Sequence, residues 1–120
     1  MTPEKLPHEH HSGMEAYLSH MPSPEDFESV AAILHLLGDR TRARLFWLLC
    51  HCEECLINLS AMTGMSSPAL SHHLRLLKSA QLVTSRREGK EVYYRAAETP
   101  TAKALHEIIE HIASITCLDG

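Results

Sequence analysis

Aromatic side chains are scarce in this chain, at 5% of its 120 residues. Its core must therefore come mainly from Leu, Ile, Val, Ala and Met. Long apolar runs are missing: nothing approaches the roughly 18 consecutive apolar residues of a membrane span, so no membrane partner is expected. The opening stretch MTPEKLPHEHHSG lacks the apolar segment of a secretory signal. A cytoplasmic location is expected, with the four cysteines reduced and available for metal or redox chemistry rather than for a disulfide framework. Internal repeats are absent, as are low-complexity tracts beyond a His-rich start. The length suits one domain, alone or doubled in a dimer.

A strong net charge is also missing. The value is −4, which argues against nonspecific coating of nucleic acid. The average conceals an uneven distribution. Residues 1–60 hold four basic and nine acidic side chains, whereas residues 61–100 hold six basic (Arg75, Lys78, Arg86, Arg87, Lys90, Arg95) and three acidic. A basic middle between acidic ends is the footprint of a polyanion-binding surface, or ordinary scatter on a solvated one.

Periodicity supplies the organisation. Residues 1–22 read as a His-rich arm with a short helical turn near Met14–His20. Residues 23–120 read as the folded domain. Ser23, Pro24 and Asp26 form a capping sequence for a helix whose Phe27, Val30, Ala31, Leu34 and Leu37 recur at helical spacing, and Gly38 stops it. Asp39 caps a second helix. A short helix near Leu56–Thr63 ends at Gly64, and Ser66 caps a longer one with Leu70, Leu74 and Leu77 on its inner face. Two β-rich runs around EGK read as a hairpin. Pro100, with Thr99 as cap, opens a last helix whose Leu105, Ile108, Ile109, Ile112 and Ile115 stripe can pack within the chain or against a second copy.

A short helix, a tight turn and a helix with a polar outer face form a helix-turn-helix pattern, and the hairpin after it has the place of a wing. The segments GDRTRARLFWLL and MSSPALSHHLRLLKSAQLVTSRREGKEVYYR, with EEC between them, resemble the ArsR/SmtB family of winged-helix repressors over roughly residues 27–115. The expected fold is mainly α with a small β-hairpin (α+β), a winged helix-turn-helix. The resemblance implies a homodimer joined through N- and C-terminal helices, bound to double-stranded operator DNA. On physical grounds Ser67, Ser71, His72, His73, Arg75 and Lys78 can present polar and basic groups to a major groove. Ser66, at a helix N-terminus, suits a phosphate. Arg86, Arg87 and Lys90 of the hairpin suit flanking phosphates or a minor groove. Solvated helix face is the bland alternative for the serines, and inward packing for one of the histidines. Gln81 departs from the family, which has Gly there; a positive φ at that position would strain it.

The segment CHCEEC, residues 50–55, carries three thiols. The resemblance implies release from the operator by an inducer, often a metal or metalloid ion, and Cys55 matches the family's Cys in ELC. The next family Cys, two positions on, is replaced by Ile57, and the extra thiols are upstream at Cys50 and Cys52. Three thiolates favour soft ions: Zn(II), Cd(II), Pb(II), Cu(I) or As(III). Cys117 can join from the last helix, and His8, His10 and His11 from the arm. Cys50 can equally be a small buried hydrophobe. In some relatives a Zn(II) site spans the paired terminal helices; Glu98 and His111 match two of its positions, Pro100 and Ser114 do not fit the others, and His106 with Glu110 can rebuild part of it. A repressor of the same fold with thiol-redox or persulfide chemistry, using Cys50 or Cys52 with Cys117, is the competing reading. An enzyme is not expected: the Cys50–His51 neighbours lack an oxyanion hole or pocket.

Overall fold

The computed structural model describes residues 6–119, with side chains through Ser114. By internal contacts the chain divides into two compact units, Met1–Ala32 and Ile33–Gly120. The first holds a short helix α1 (Met14–Ser19) and the start of α2 (Pro24–Leu37). Ser23 and Asp26 cap α2 reciprocally: the Ser23 backbone N–H donates to Asp26 Oδ2 at 3.2 Å, and the Asp26 N–H to Ser23 Oγ at 3.1 Å. This is the capping box the sequence predicts, with Asp in the place of Glu.

In the second unit, α3 (Arg40–His51), a two-residue strand β1 (Glu54–Cys55), α4 (Leu56–Thr63), α5 (Ser67–Ser79), β2 (Val83–Glu88), β3 (Glu91–Ala96) and α6 (Pro100–Asp119) follow in order. The corner between α2 and α3 is tied by charge. Asp39 Oδ2 accepts from the Arg42 N–H at 2.9 Å, while Arg42 Nε donates to the Leu36 carbonyl at 2.8 Å, placing a cation on the last turn of α2. A Cβ at Gly38 would stand 3.2 Å from the His35 carbonyl oxygen, a tight contact with the last turn of α2 that glycine avoids. Leu45, Phe46 and Leu49 of α3, Leu59 of α4, Leu70, Leu74 and Leu77 of α5 and Leu82 and Val83 at the start of the wing form one core. The scarcity of aromatics is felt here: among the described residues Phe46 is the lone aromatic that is fully buried.

The sheet has the order β1-β3-β2, antiparallel throughout. The hairpin is expected from sequence; β1 is not, since two residues give no alternation to detect. Its register sets Glu54 opposite Tyr94 and Cys55 opposite Tyr93. The α6 stripe divides. Leu105 is buried and Ile109 packs on the core, whereas Ile108 and Ile112 are half exposed, and the side chain of Ile115 lies outside the described residues. Among the described residues no helix is long and apolar enough to cross a membrane.

Candidate functional site

The turn between α4 and α5 is held by side chains. Gly64 takes φ 74° to end α4, Thr63 Oγ1 donates to the Leu59 carbonyl at 2.7 Å, and Ser60 Oγ donates to the Met65 carbonyl at 2.5 Å. Ser66 Oγ then accepts from the Ala69 N–H at 3.3 Å and starts α5. The hydroxyl can still donate its own proton. With Leu70, Leu74 and Leu77 buried, helical geometry turns the opposite side of α5 outward. Ser67, His72, Arg75 and Lys78 are exposed and Ser71 is half-buried.

His73 is turned inward. Its Nδ1 lies 3.4 Å from Arg42 Nη1. A guanidinium can only donate, so Nδ1 is the acceptor and the proton sits on Nε2. Burial holds this imidazole below its ordinary pKa, with Asp39 opposing and Arg42 reinforcing the shift, so it is neutral at pH 7. His73 therefore braces α5 on α3, and of the two expected histidines it is His72 that reaches solvent.

The hairpin cations are not equivalent. Arg87 and Lys90 are exposed and enter no ion pair among the described residues. Lys78 Nζ donates to Ser85 Oγ at 2.7 Å and so links α5 to the wing. Arg86 is held on three sides. Its Nη2 donates to Glu53 Oε1 at 2.7 Å, its Nη1 to Glu88 Oε2 at 2.6 Å, and its guanidinium lies 4.7 Å from the Tyr93 ring centroid. The Arg86 hydrogen bond keeps the Glu53 carboxyl below the usual carboxylate range. Glu53 was not legible as a functional residue; acid in a cysteine-rich segment gives no sign that it faces the wing.

The thiols do not converge. Cys52 ends α3, and its Sγ donates back to the Leu48 carbonyl at 3.4 Å. Cys55, buried, is both half of β1 and the N-cap residue of α4. Adjacent strand residues point to opposite faces, so Cys55 turns to the core while Glu54 turns away. Cys50 packs at the core edge, and burial, aided by the Glu110 charge, pushes its thiol up to about 11. No three of these groups come within ligand distance of one another among the described residues, and the side chain of Cys117 lies outside them. In the first unit His8, His10 and His11 are exposed, with the His8 and His10 rings stacked at 5.8 Å.

A different trio does meet. His51 on the last turn of α3 faces His106 and Glu110 on successive turns of α6. The two Nε2 atoms are 3.0 Å apart, and Glu110 Oε1 lies 2.5 Å from His106 Nε2 and 3.6 Å from His51 Nε2. The i, i+4 pair was readable from sequence; His51 was not, because its contact spans 55 positions. His111, one residue beyond Glu110, points elsewhere and is exposed.

Comparison with known proteins then places the chain. The profile of the arsR family of bacterial regulatory proteins matches residues 39–85, from the α3 cap to mid-β2. The transcriptional repressor SmtB homolog of Synechocystis is 34% identical over 90 residues, covering 75% of this chain and 68% of that one. The chain belongs to the ArsR/SmtB family of transcriptional repressors. Another ArsR-family relative, a cadmium resistance regulator CadC homolog from Staphylococcus aureus, is 32% identical over 90 residues, covering 72% of this chain and 74% of its own. The fold matches the homodimeric winged helix-turn-helix DNA-binding domain of a Mycobacterium bovis protein with a TM-score of 0.68 at 29% identity, covering 78% of this chain and 89% of that one. As an ArsR-family member the chain is a regulator and not an enzyme.

Proposed function

We propose that this protein is a cytoplasmic, homodimeric repressor that leaves double-stranded operator DNA when a soft metal or metalloid ion, such as Zn(II), Cd(II), Pb(II) or As(III), binds Cys50, Cys52 and Cys55. The reading surface is Ser66, Ser67, Ser71, His72 and Arg75 of α5 with Arg87 and Lys90 of the wing. The staphylococcal relative is named for cadmium, which favours a thiol-binding ion. The homodimeric Mycobacterium bovis neighbour supports a dimer, as do Leu34 of α2 and Ile108 of α6, apolar side chains that are 55% and 50% exposed.

The observation that carries this reading is the continuity between the thiol segment and the reading head. Glu53, between Cys52 and Glu54, grips Arg86 of the wing. Cys55 pairs with β3 and also begins α4, the first helix of the helix-turn-helix. The three sulfurs do not form one ligand cluster in the described conformation, so an ion that gathers them must move residues 50–55. That movement pulls on the wing through Glu53 and on α4 through Cys55. An ion that binds one conformation and DNA that binds the other are antagonists by linkage.

The test is a titration of reduced, metal-free protein with Cd(II), Zn(II) and As(III), following thiolate-to-metal absorbance and fluorescence anisotropy of promoter DNA together. Coupled absorbance and DNA release are expected. DNA release only after oxidant or persulfide would refute the metal reading.

A further inference from the structure

We infer that His51, His106 and Glu110 form a second metal site within one chain, thiol-free, for a borderline divalent ion of the Zn(II) class. Two imidazole nitrogens and a carboxylate are the donors such ions take, and three protein ligands leave a fourth position for water. The geometry is close to what the ion needs. With bonds of about 2.0–2.1 Å, donors on a tetrahedron lie roughly 3.3 Å apart. The three separations here are 3.0, 2.5 and 3.6 Å, so small side-chain rotations suffice to admit the ion.

The surroundings favour coordination over a chance cluster. Both rings present Nε2 to one point, an arrangement that a single shared proton satisfies without an ion and that a cation satisfies for all three groups at once. Coordination uses the Nε2 lone pair of both rings, which places any proton of a coordinating ring on Nδ1. Trp47 packs on the His51 ring at 4.3 Å between centroids and restricts its rotation. An open cleft of about 360 Å³, lined in part by Cys50, His51 and His106, gives an ion access from solvent.

The consequence is a clamp between α3 and α6. The site joins the residue between Cys50 and Cys52 to the helix that bears Ile108, independently of whether the thiols bind anything. An ion here would hold residue 51 in its present place and so oppose the rearrangement that gathering the thiols requires.

The test uses the full reduced chain, made metal-free, with Zn(II) as the probe. Long-range proton–nitrogen NMR spectra of the imidazoles would be recorded during titration. Two Nε2 resonances should shift by saturating Zn(II), beyond any equivalent that the thiols take up, and be assigned to His51 and His106 by their loss in His51→Gln and His106→Gln. Glu110→Gln should weaken this binding at least about tenfold, and His111→Gln should not change it. His51 is exposed at a helix end, so His51→Gln keeps the test usable if an α6 variant fails to fold. Absence of the two shifts at saturating Zn(II), or wild-type affinity in both His106→Gln and Glu110→Gln, would overturn the site. Operator anisotropy in the same metal-free samples reports separately on the repressor reading, which fails if the apo-protein does not bind DNA.

Discussion

Gln81 offers a test of the link between α5 and the wing. It has φ 62°, alone among the non-glycine residues described. The hydrogen bonds explain why. Leu82 N–H donates to the Leu77 carbonyl at 3.0 Å and Gln81 N–H to the Lys78 carbonyl at 3.0 Å, with Leu77 and Leu82 both buried. That is a Schellman ending of α5, with its hydrophobic contact, and the residue just before Leu82 must be left-handed. A side chain there costs about 1–2 kcal/mol. Replacing Gln81 by Gly removes that cost but gives the unfolded chain extra freedom worth about 0.4–1 kcal/mol. Gln81 is exposed, so no packing is lost. The net expectation is a gain of about 0.5–1 kcal/mol, or roughly 2–4 °C in Tm for a chain of this size. Thermal and urea unfolding followed by circular dichroism would measure it, at one protein concentration because a dimer's stability depends on it. Gln81→Val should move the opposite way, since β-branched residues tolerate positive φ least. A Gln81→Gly protein that melts at or below wild type would refute the strain argument.

Further expectations concern the interface and the thiols. Arg75→Ala should weaken operator binding by about 1–3 kcal/mol, with or without metal, in anisotropy titrations; an effect seen only with metal present would remove Arg75 from the DNA surface. Glu53→Gln frees Arg86 from its main partner, so operator affinity should rise and the slope of log K against log salt should steepen by roughly 1. An unchanged slope would mean that Arg86 does not reach phosphate. For Cys50, the thiol pKa is raised in the folded state from an ordinary 9.0 to about 11, so between those values the unfolded chain ionises first. Stability should therefore be intact below pH 9 and fall as pH rises towards 11, less steeply in Cys50→Ala. Alkylation of Cys50 at pH 8, read by peptide mass spectrometry, should be slow in the folded protein and fast in urea.

The elements that sequence reveals here are those whose signals are local. The Ser23–Asp26 and Ser66 caps, the α4–α5 turn at Gly64, the leucine face of α5 and the hairpin each rest on residues within a few positions of one another, and all are found where expected. What escapes is what depends on long-range approach. Cys52-x-x-Cys55 has a chelating spacing on paper, but the Cys52 thiol bonds back to the Leu48 carbonyl of α3 while Cys55 is buried and paired with β3. His73 reads as a groove residue until Arg42, 31 positions away, is found against it. Arg86 reads as a free wing cation until Glu53 is found 33 positions away.

Those long-range contacts gather in one place. Residues 50–55 contribute Cys50 to the core edge, His51 to α6, Glu53 to the wing cation and Cys55 to the sheet and the start of α4. Six consecutive residues thus touch nearly every moving part a DNA-releasing switch would need. A segment so connected cannot change conformation locally: gathering its thiols would break the Glu53–Arg86 pair or the β1–β3 pairing, and an ion on His51 would resist both. The two sites would therefore be coupled with opposite sign, each ion lowering the affinity for the other by the same factor.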